Sequence, residues 1–476
     1  MVFSSIPFLF FFLPIVLIVY YLAPRRLKNA VLLLFSLIFY AWGEPVYVLL
    51  MIGSIVANFW FGLRLDRAKR DASSRQAKAW LIVSIVFNVS LLGFFKYADF
   101  LITNVNTLTN SEIGRLGLPL PIGISFYTFQ IMSYVIDLYR GNVWVQTSII
   151  DLGAYVALFP QLIAGPIVRI RDVAEALRSR QESASDFAEG VSRFVTGLAK
   201  KVLFANAIGA VWSEIQAMPS SSLSTFTAWL GILAFSFQIY FDFSAYSDMA
   251  IGLGLMFGFR FLENFNYPYI ASSITDFWRR WHISLSSWFR EYVYIPLGGN
   301  RKGLGRQIIN LFIVWLLTGL WHGASWNFVL WGLYFFLLLM IEKAFLLKWL
   351  QRLPAFIGHV YTLLFVVISW VIFSFEKMSD VTSYLAAMFG LNVQPAIDNV
   401  ARYHLLSNLS LLLMLALAST PLPRILFTRL QARFETKPIA DVTFFALRLV
   451  SIVALLVLVN AHLVDAGFNP FLYFRF

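Results

Sequence analysis

Hydrophobic positions in this chain fall into unbroken runs separated by short clusters of Arg, Lys and Pro. Five such runs occupy the first third, at Ile6 to Ala23, Val31 to Trp42, Val46 to Gly62, Trp80 to Phe95 and Pro121 to Leu138. Seven more follow, at Val202 to Met218, Thr227 to Tyr246, Ile308 to Trp321, Trp326 to Ile341, Phe356 to Phe375, Leu405 to Ala418 and Thr443 to His462. A helix needs about twenty residues to cross a hydrocarbon core of about 30 Å, and shorter runs reach by tilting or through their flanks. The pattern therefore predicts an all-α polytopic membrane protein of about eleven to twelve transmembrane helices. The first run lacks a basic leader and a small-residue cleavage site, so it reads as a retained span rather than a removed signal.

Two segments break this rhythm. Asp151 to Pro166 is apolar but interrupted by Pro160 and by Gly165-Pro166. It begins and ends near basic residues, which predicts a re-entrant piece, tolerated only when buried in protein or lining a cavity. Arg171 to Ser185 is charged and predicts a surface helix. The basic clusters at Arg25 to Lys28, Arg64 to Lys78, Lys343 to Arg352 and Arg424 to Lys437 follow every second crossing, which assigns those loops to the cytoplasm and both termini to the outside.

Composition sharpens this picture. Of 476 residues, 59% are hydrophobic and 13% charged, against about a quarter charged in a soluble domain. Aromatic residues make up 17%, as expected where Trp and Tyr line the bilayer interfaces. The net charge of +12 is accounted for by cytoplasmic loops, so nucleic acid is not an expected partner, whereas the lipid bilayer is. The absence of cysteine excludes disulfides, thiolate metal sites and cysteine nucleophiles.

The chemistry concentrates between Trp278 and Trp326. His322 closes an apolar run about 20 Å of helical rise beyond Ile308, deep inside the membrane. Two readings fit it: a packing histidine bonded to a neighbouring helix, or a general base with an ordinary pKa near 6.5. His282 sits in W-R-R-W-H-I-S-L-S-S-W-F-R, which reads as an amphipathic interfacial helix with Trp at the boundary. That stretch is either a surface anchor or, with Arg279, Arg280, Arg290, Arg301 and Lys302, a cationic mouth for a phosphate-bearing donor. Asp242 and Asp248 stand in apolar surroundings, where acids face a cavity or a partner. Glycines 252, 254 and 258 follow no strand, so they serve close helix packing rather than a nucleotide fingerprint. No metal is expected, since no tight ligand cluster or H-E-x-x-H pattern is present.

These residues stand in longer strings: MVFSSIPFLFFFLP, LPIGISFYTFQIMSYVIDLYRG, LFPQLIAGPIVR, YFDFSAYSDMAIGLGLMFGFRFLENFNYPY, SITDFWRRWHISLSSWFREYVYIPLGGNRKG and GLWHGASWNFVLWG. In this order they resemble the membrane-bound O-acyltransferase family, in its bacterial branch concerned with alginate O-acetylation. The resemblance is weaker after Ile341. It implies one transmembrane domain over 1–476, built as a ring of tilted helices around a central tunnel, with residues 278–326 as the active-site core. It further implies that His322 is the catalytic histidine and His282 a second active-site position. The donor would be a cytosolic thioester, acetyl-CoA or an acyl carrier protein, with no permanently bound cofactor.

The last residues, FLYFRF at 471–476, resemble the C-terminal aromatic motif of acyl-relay peptides in teichoic-acid D-alanylation. This implies that Tyr473 receives the acyl group transiently; the alternative is an aromatic belt at a helix end. The whole predicts an inner-membrane O-acetyltransferase that hands acetyl groups to a periplasmic hydrolase-fold transferase, within a complex that makes or exports a polysaccharide. Two rivals have other signatures. A proton-coupled transporter would route protons through Asp242, Asp248 and His322, and a non-catalytic scaffold of the export complex would not need His322.

Overall fold

In lipid every backbone amide must find its partner within the segment, which leaves the long apolar runs one solution, the helix. The computed structural model describes residues 1–163, 165–434 and 438–465, and those residues form helices and loops with no strand. Among them, nine helices are long and apolar enough to cross a membrane. A tenth crossing is made if Asn399–Ser407 and Leu409–Ala418, bent by 61°, count as one span. Two further helices complete the expected set. Phe8–Leu22 is shorter but apolar. Ile124–Arg140 matches the expected run at Pro121 to Leu138, yet it is buried almost throughout and carries Gln130, Ser133 and Asp137 inside protein.

The interrupted segment behaves as its prolines demand. Ile149–Ala157 starts on a Ser148 cap, whose hydroxyl accepts from the Asp151 amide at 3.2 Å, and ends at Leu158. A single turn, Phe159–Leu162, then begins with Pro160 in its first positions. Both pieces are short and buried. The expected surface helix is Ile170–Ser179, with Ile170, Val173 and Leu177 on its buried side.

By its internal contacts the chain divides into two units. The first comprises residues 1–194 and 246–262. Its core is a Phe cluster: Phe3, Phe8, Phe12, Phe39 and Phe159 meet with ring centroids 4.9 to 6.4 Å apart. A polar clasp joins its sequence ends, where the Tyr20 hydroxyl donates to Glu182 at 2.6 Å and Lys28 pairs with the same carboxylate at 2.8 Å. Gly252 packs against the backbone of Gly190 and Phe194, so the role assigned to the glycines holds there.

The second unit comprises residues 195–245 and 263–476. It contains the helical hairpin through Ser220–Ser222, the region between Ser273 and Phe375, and the described part of the C-terminal region. Among its described residues three π-helical turns interrupt the helices, at Lys200–Asn206, Arg290–Tyr294 and Glu342–Leu346. Such turns insert a residue into the helix and are frequent at functional sites. The last two border the cavity described below.

Candidate active site

His322 is the last residue of the Gly303–His322 helix, and Gly323 turns the chain out in an extended conformation. The next helix, starting at Trp326, packs back closely because Gly319 and Gly332 face each other. A side chain at Gly319 would strike the Phe328 carbonyl, and one at Gly332 the Trp315 carbonyl. Gly323 leaves its space to the Phe328 ring, not to a void beside the imidazole.

The His322 imidazole is 6% exposed. Its Nδ1 lies 2.7 Å from the Thr318 carbonyl oxygen. A carbonyl only accepts, so Nδ1 carries the proton and Nε2 is the basic nitrogen. Trp321, Trp331 and Phe373 pack on the ring with centroids at 5.0, 4.8 and 5.6 Å. The helix end, an orienting acceptor and an aromatic wall thus give one buried base a fixed direction.

His282 is placed differently from the expected interfacial helix. The stretch breaks there into two short helices, Ile274–Arg280 and Ile283–Phe289, and His282 between them has φ of 45°. A left-handed backbone at a non-glycine residue costs on the order of 1 kcal/mol. Backbone bonds to the loop at 264–266 hold it: the Asn266 amide donates to the Arg280 carbonyl at 2.9 Å and the Ile283 amide to the Asn264 carbonyl at 3.0 Å. Trp278, Trp281 and Trp288 are buried, so these tryptophans pack a core instead of floating at a boundary. His282 is itself 1% exposed, with Phe243 edge-on at 4.7 Å and Trp321 at 5.9 Å. The Trp321 indole therefore lies between both imidazoles. Burial first, and the neighbouring His322 second, push the His282 imidazole well below its ordinary value.

A cavity of about 270 Å³ is lined by Arg279, Arg290 and Lys343 and by Trp278, Trp315 and Thr318, and neither His282 nor His322 is among its lining residues. It runs to Thr318, the residue whose carbonyl orients His322. The His322 ring is one helical turn beyond that wall. Three cations with an apolar, Trp-lined interior suit a ligand with phosphate at one end and an apolar arm at the other. The wall is fixed by Glu342, which is 1% exposed and accepts from the Ile274 amide at 2.6 Å, the Thr275 amide at 2.8 Å and the Thr275 hydroxyl at 2.6 Å. One buried carboxylate thereby caps the helix that carries Trp278 and Arg279.

Of the five basic residues expected at the mouth, Arg279 and Arg290 line the cavity. Arg280 turns to Asp276 at 3.0 Å and to the Asn266 carbonyl at 3.2 Å, while Arg301 and Lys302 are exposed and outside the lining. Tyr473, with the whole motif at 471–476, lies outside the described residues. The intramembrane acids have basic partners. Asp242 pairs with Lys201 at 2.6 Å, both side chains 4% exposed, and Asp248 pairs with Arg193 at 2.8 Å. Lys343, Glu342 and Asn264 were not legible as site residues: each acts across 18 to 68 residues of chain, and no local spacing marks them.

The described residues thus combine helices long and apolar enough to cross a membrane with two buried histidines packed on one indole. A sequence model of the membrane-bound O-acyltransferase family matches residues 145–384, and the chain belongs to that family and is an O-acyltransferase. It is 47% identical over 393 residues to the probable alginate O-acetylase of Pseudomonas aeruginosa, a match covering 82% of this chain and 75% of that one. It is 37% identical over 430 residues to the peptidoglycan O-acetyltransferase of Helicobacter pylori, covering 82% and 80%. With the teichoic acid D-alanyltransferase of Bacillus subtilis the identity is 29% over 272 residues, covering 53% and 68%.

Proposed function

We propose that this protein is an inner-membrane O-acetyltransferase that draws an acetyl group from a cytosolic thioester and delivers it outward for a cell-envelope or secreted polysaccharide. The names of its relatives concern alginate, peptidoglycan and teichoic acid, which supports a polymer as the final acceptor. Acetyl-CoA is the donor this reading favours, with an acyl carrier thioester as the variant. The observation that carries it is the cavity that joins Arg279, Arg290 and Lys343 to Thr318 and so to the orienting acceptor of His322.

In the proposed step His322 Nε2 removes the phenolic proton of Tyr473, and the phenolate oxygen attacks the thioester carbonyl. The carbon–sulfur bond breaks, the new tyrosyl ester keeps the acetyl group, and the thiolate leaves with the proton returned by His322. His282 assists beside the reacting groups, and Arg279, Arg290 and Lys343 hold the donor phosphates. A tyrosyl ester remains activated, because a phenolate is a better leaving group than an alkoxide. A periplasmic hydrolase-fold transferase then takes the acetyl group to sugar hydroxyls within the polysaccharide complex. The pairing of Asp242 with Lys201 and of Asp248 with Arg193 weighs against the proton path of a transporter.

The test is thioester turnover by the purified protein in liposomes. Release of free CoA from acetyl-CoA in the wild type, and its loss in His322→Ala, supports the enzyme. Undiminished release by His322→Ala overturns it.

A further inference from the structure

The His282 imidazole does not choose its own tautomer. Its Nδ1 lies 3.2 Å from the side-chain oxygen of Asn264, a residue wholly buried in the loop that also holds His282 in its left-handed backbone. An amide can present either its oxygen or its nitrogen, and here the choice is forced. The same Oδ1 lies 3.1 Å from the backbone amide of Ser284, which can only donate. It also accepts from the Ser284 hydroxyl at 2.9 Å, which commits that group's one proton, so the same hydroxyl oxygen, 3.5 Å from Nδ1, can only accept there as well. Oxygen therefore faces all three, and an oxygen facing Nδ1 requires the proton to sit on Nδ1. The Asn264 carbonyl adds a backbone bond from the Ile283 amide at 3.0 Å, so side chain and main chain of one residue bracket the histidine.

We propose that Asn264 is a positioning residue of the active site: its side-chain oxygen fixes His282 as the Nδ1–H tautomer, which makes Nε2 an acceptor toward the reacting groups. An assisting His282 has two roles open to it, placing the donor or polarising its carbonyl. Polarising needs a donor aimed at the carbonyl oxygen, and the neutral Nδ1–H tautomer has none to spare. His282 instead accepts, and with His322 held in the same sense by Thr318 the site contains two imidazoles that both present an unprotonated Nε2.

This inference rests on the acyl-transfer reading for its consequence but not for its geometry, so two measurements separate them. Nitrogen NMR of histidine-labelled protein in lipid, with His282→Gln used to assign the signal, reads the tautomer without any turnover. The expected result is a proton on Nδ1 in the wild type and a mixture of tautomers in Asn264→Ala. A proton on Nε2 in the wild type overturns the proposal whether or not the protein transfers acetyl.

Turnover supplies the other arm. Asn264→Asp keeps the acceptor and folds around it, but its charge favours the imidazolium, so the acidic limb of the rate profile moves up by a pH unit or more. Asn264→Ala keeps that limb and lowers kcat about 10- to 100-fold, the scale for removing a histidine's orienting partner, with KM changed less than threefold. Profiles of Asn264→Asp that superimpose on the wild type overturn the proposal. A wild type that releases no CoA, with the tautomer as expected, contradicts the transfer reading alone.

Discussion

The Nδ1 of His322 sits 2.7 Å from the carbonyl oxygen of Thr318, one helical turn earlier, and Thr318 is also where the cationic cavity ends. The imidazole folds back one turn of its own helix onto that carbonyl, which has a second lone pair to offer beside its helical bond. The bond fixes which nitrogen is basic. Replacing His322 by Gln keeps a side-chain donor for Thr318 but no base, so transfer should fall about 10²- to 10⁴-fold while the melting temperature in detergent stays within a few degrees. A loss of rate that merely tracked unfolding would contradict the assignment.

The mouth makes a graded prediction. Arg279→Ala, Arg290→Ala and Lys343→Ala should each raise KM for the donor about tenfold, roughly 1.4 kcal/mol of lost charge-assisted binding, with kcat little changed. Arg301→Ala and Lys302→Ala, whose parents lie outside the cavity, should leave KM within twofold. Initial-rate kinetics on the five variants distinguish this pattern from a diffuse basic surface, in which all five would weaken binding alike.

Glu342 should behave as a structural anchor of that mouth. Its carboxylate accepts three bonds from Ile274 and Thr275, and Glu342→Ala leaves those buried donors unsatisfied at a cost of about 1–3 kcal/mol. Thermal unfolding should show the loss, and Glu342→Gln, which keeps one acceptor oxygen, should recover part of it.

The Lys201–Asp242 pair predicts non-additivity. Removing one partner strands a buried charge and should cost about 3–5 kcal/mol, whereas replacing both with apolar residues of similar volume should cost much less. A thermal-unfolding double-mutant cycle over Lys201→Met and Asp242→Leu measures it.

Acid should destabilise the protein through His282. Burial holds its folded pKa below the ordinary value near 6.5, so the unfolded chain binds the extra proton. This contribution to stability is complete above about pH 6.5 and is lost as the pH falls below it, by up to about 1.4 kcal/mol per pH unit. The melting temperature should therefore fall between pH 6.5 and 5, and more shallowly in His282→Gln. Equal slopes in both proteins would count against a neutral buried His282.

The helical framework was legible because length and hydropathy are local properties: each expected crossing corresponds to a helix, down to the buried Ile124–Arg140, except that the run Leu405 to Ala418 is broken at Asn408 by a 61° bend. The burial of His322 at a helix end was legible too, since an apolar run ending in a titratable residue marks itself. The stretch around His282 was not. Its tryptophans read as a boundary, but the loop at Asn264 draws them inward and breaks the helix, and that pairing spans 18 residues without any period. Lys343 stood among loop cations in the sequence, and a π-turn after Ile341 brings it to the cavity in place of Arg301 and Lys302.

The most direct test follows the acetyl group itself. Full-length protein is incubated with acetyl-labelled acetyl-CoA, digested, and searched for labelled peptides. The mechanism predicts label on the C-terminal peptide at Tyr473 in the wild type, and none in Tyr473→Phe or His322→Ala. Label retained unchanged on that peptide in both variants would contradict it.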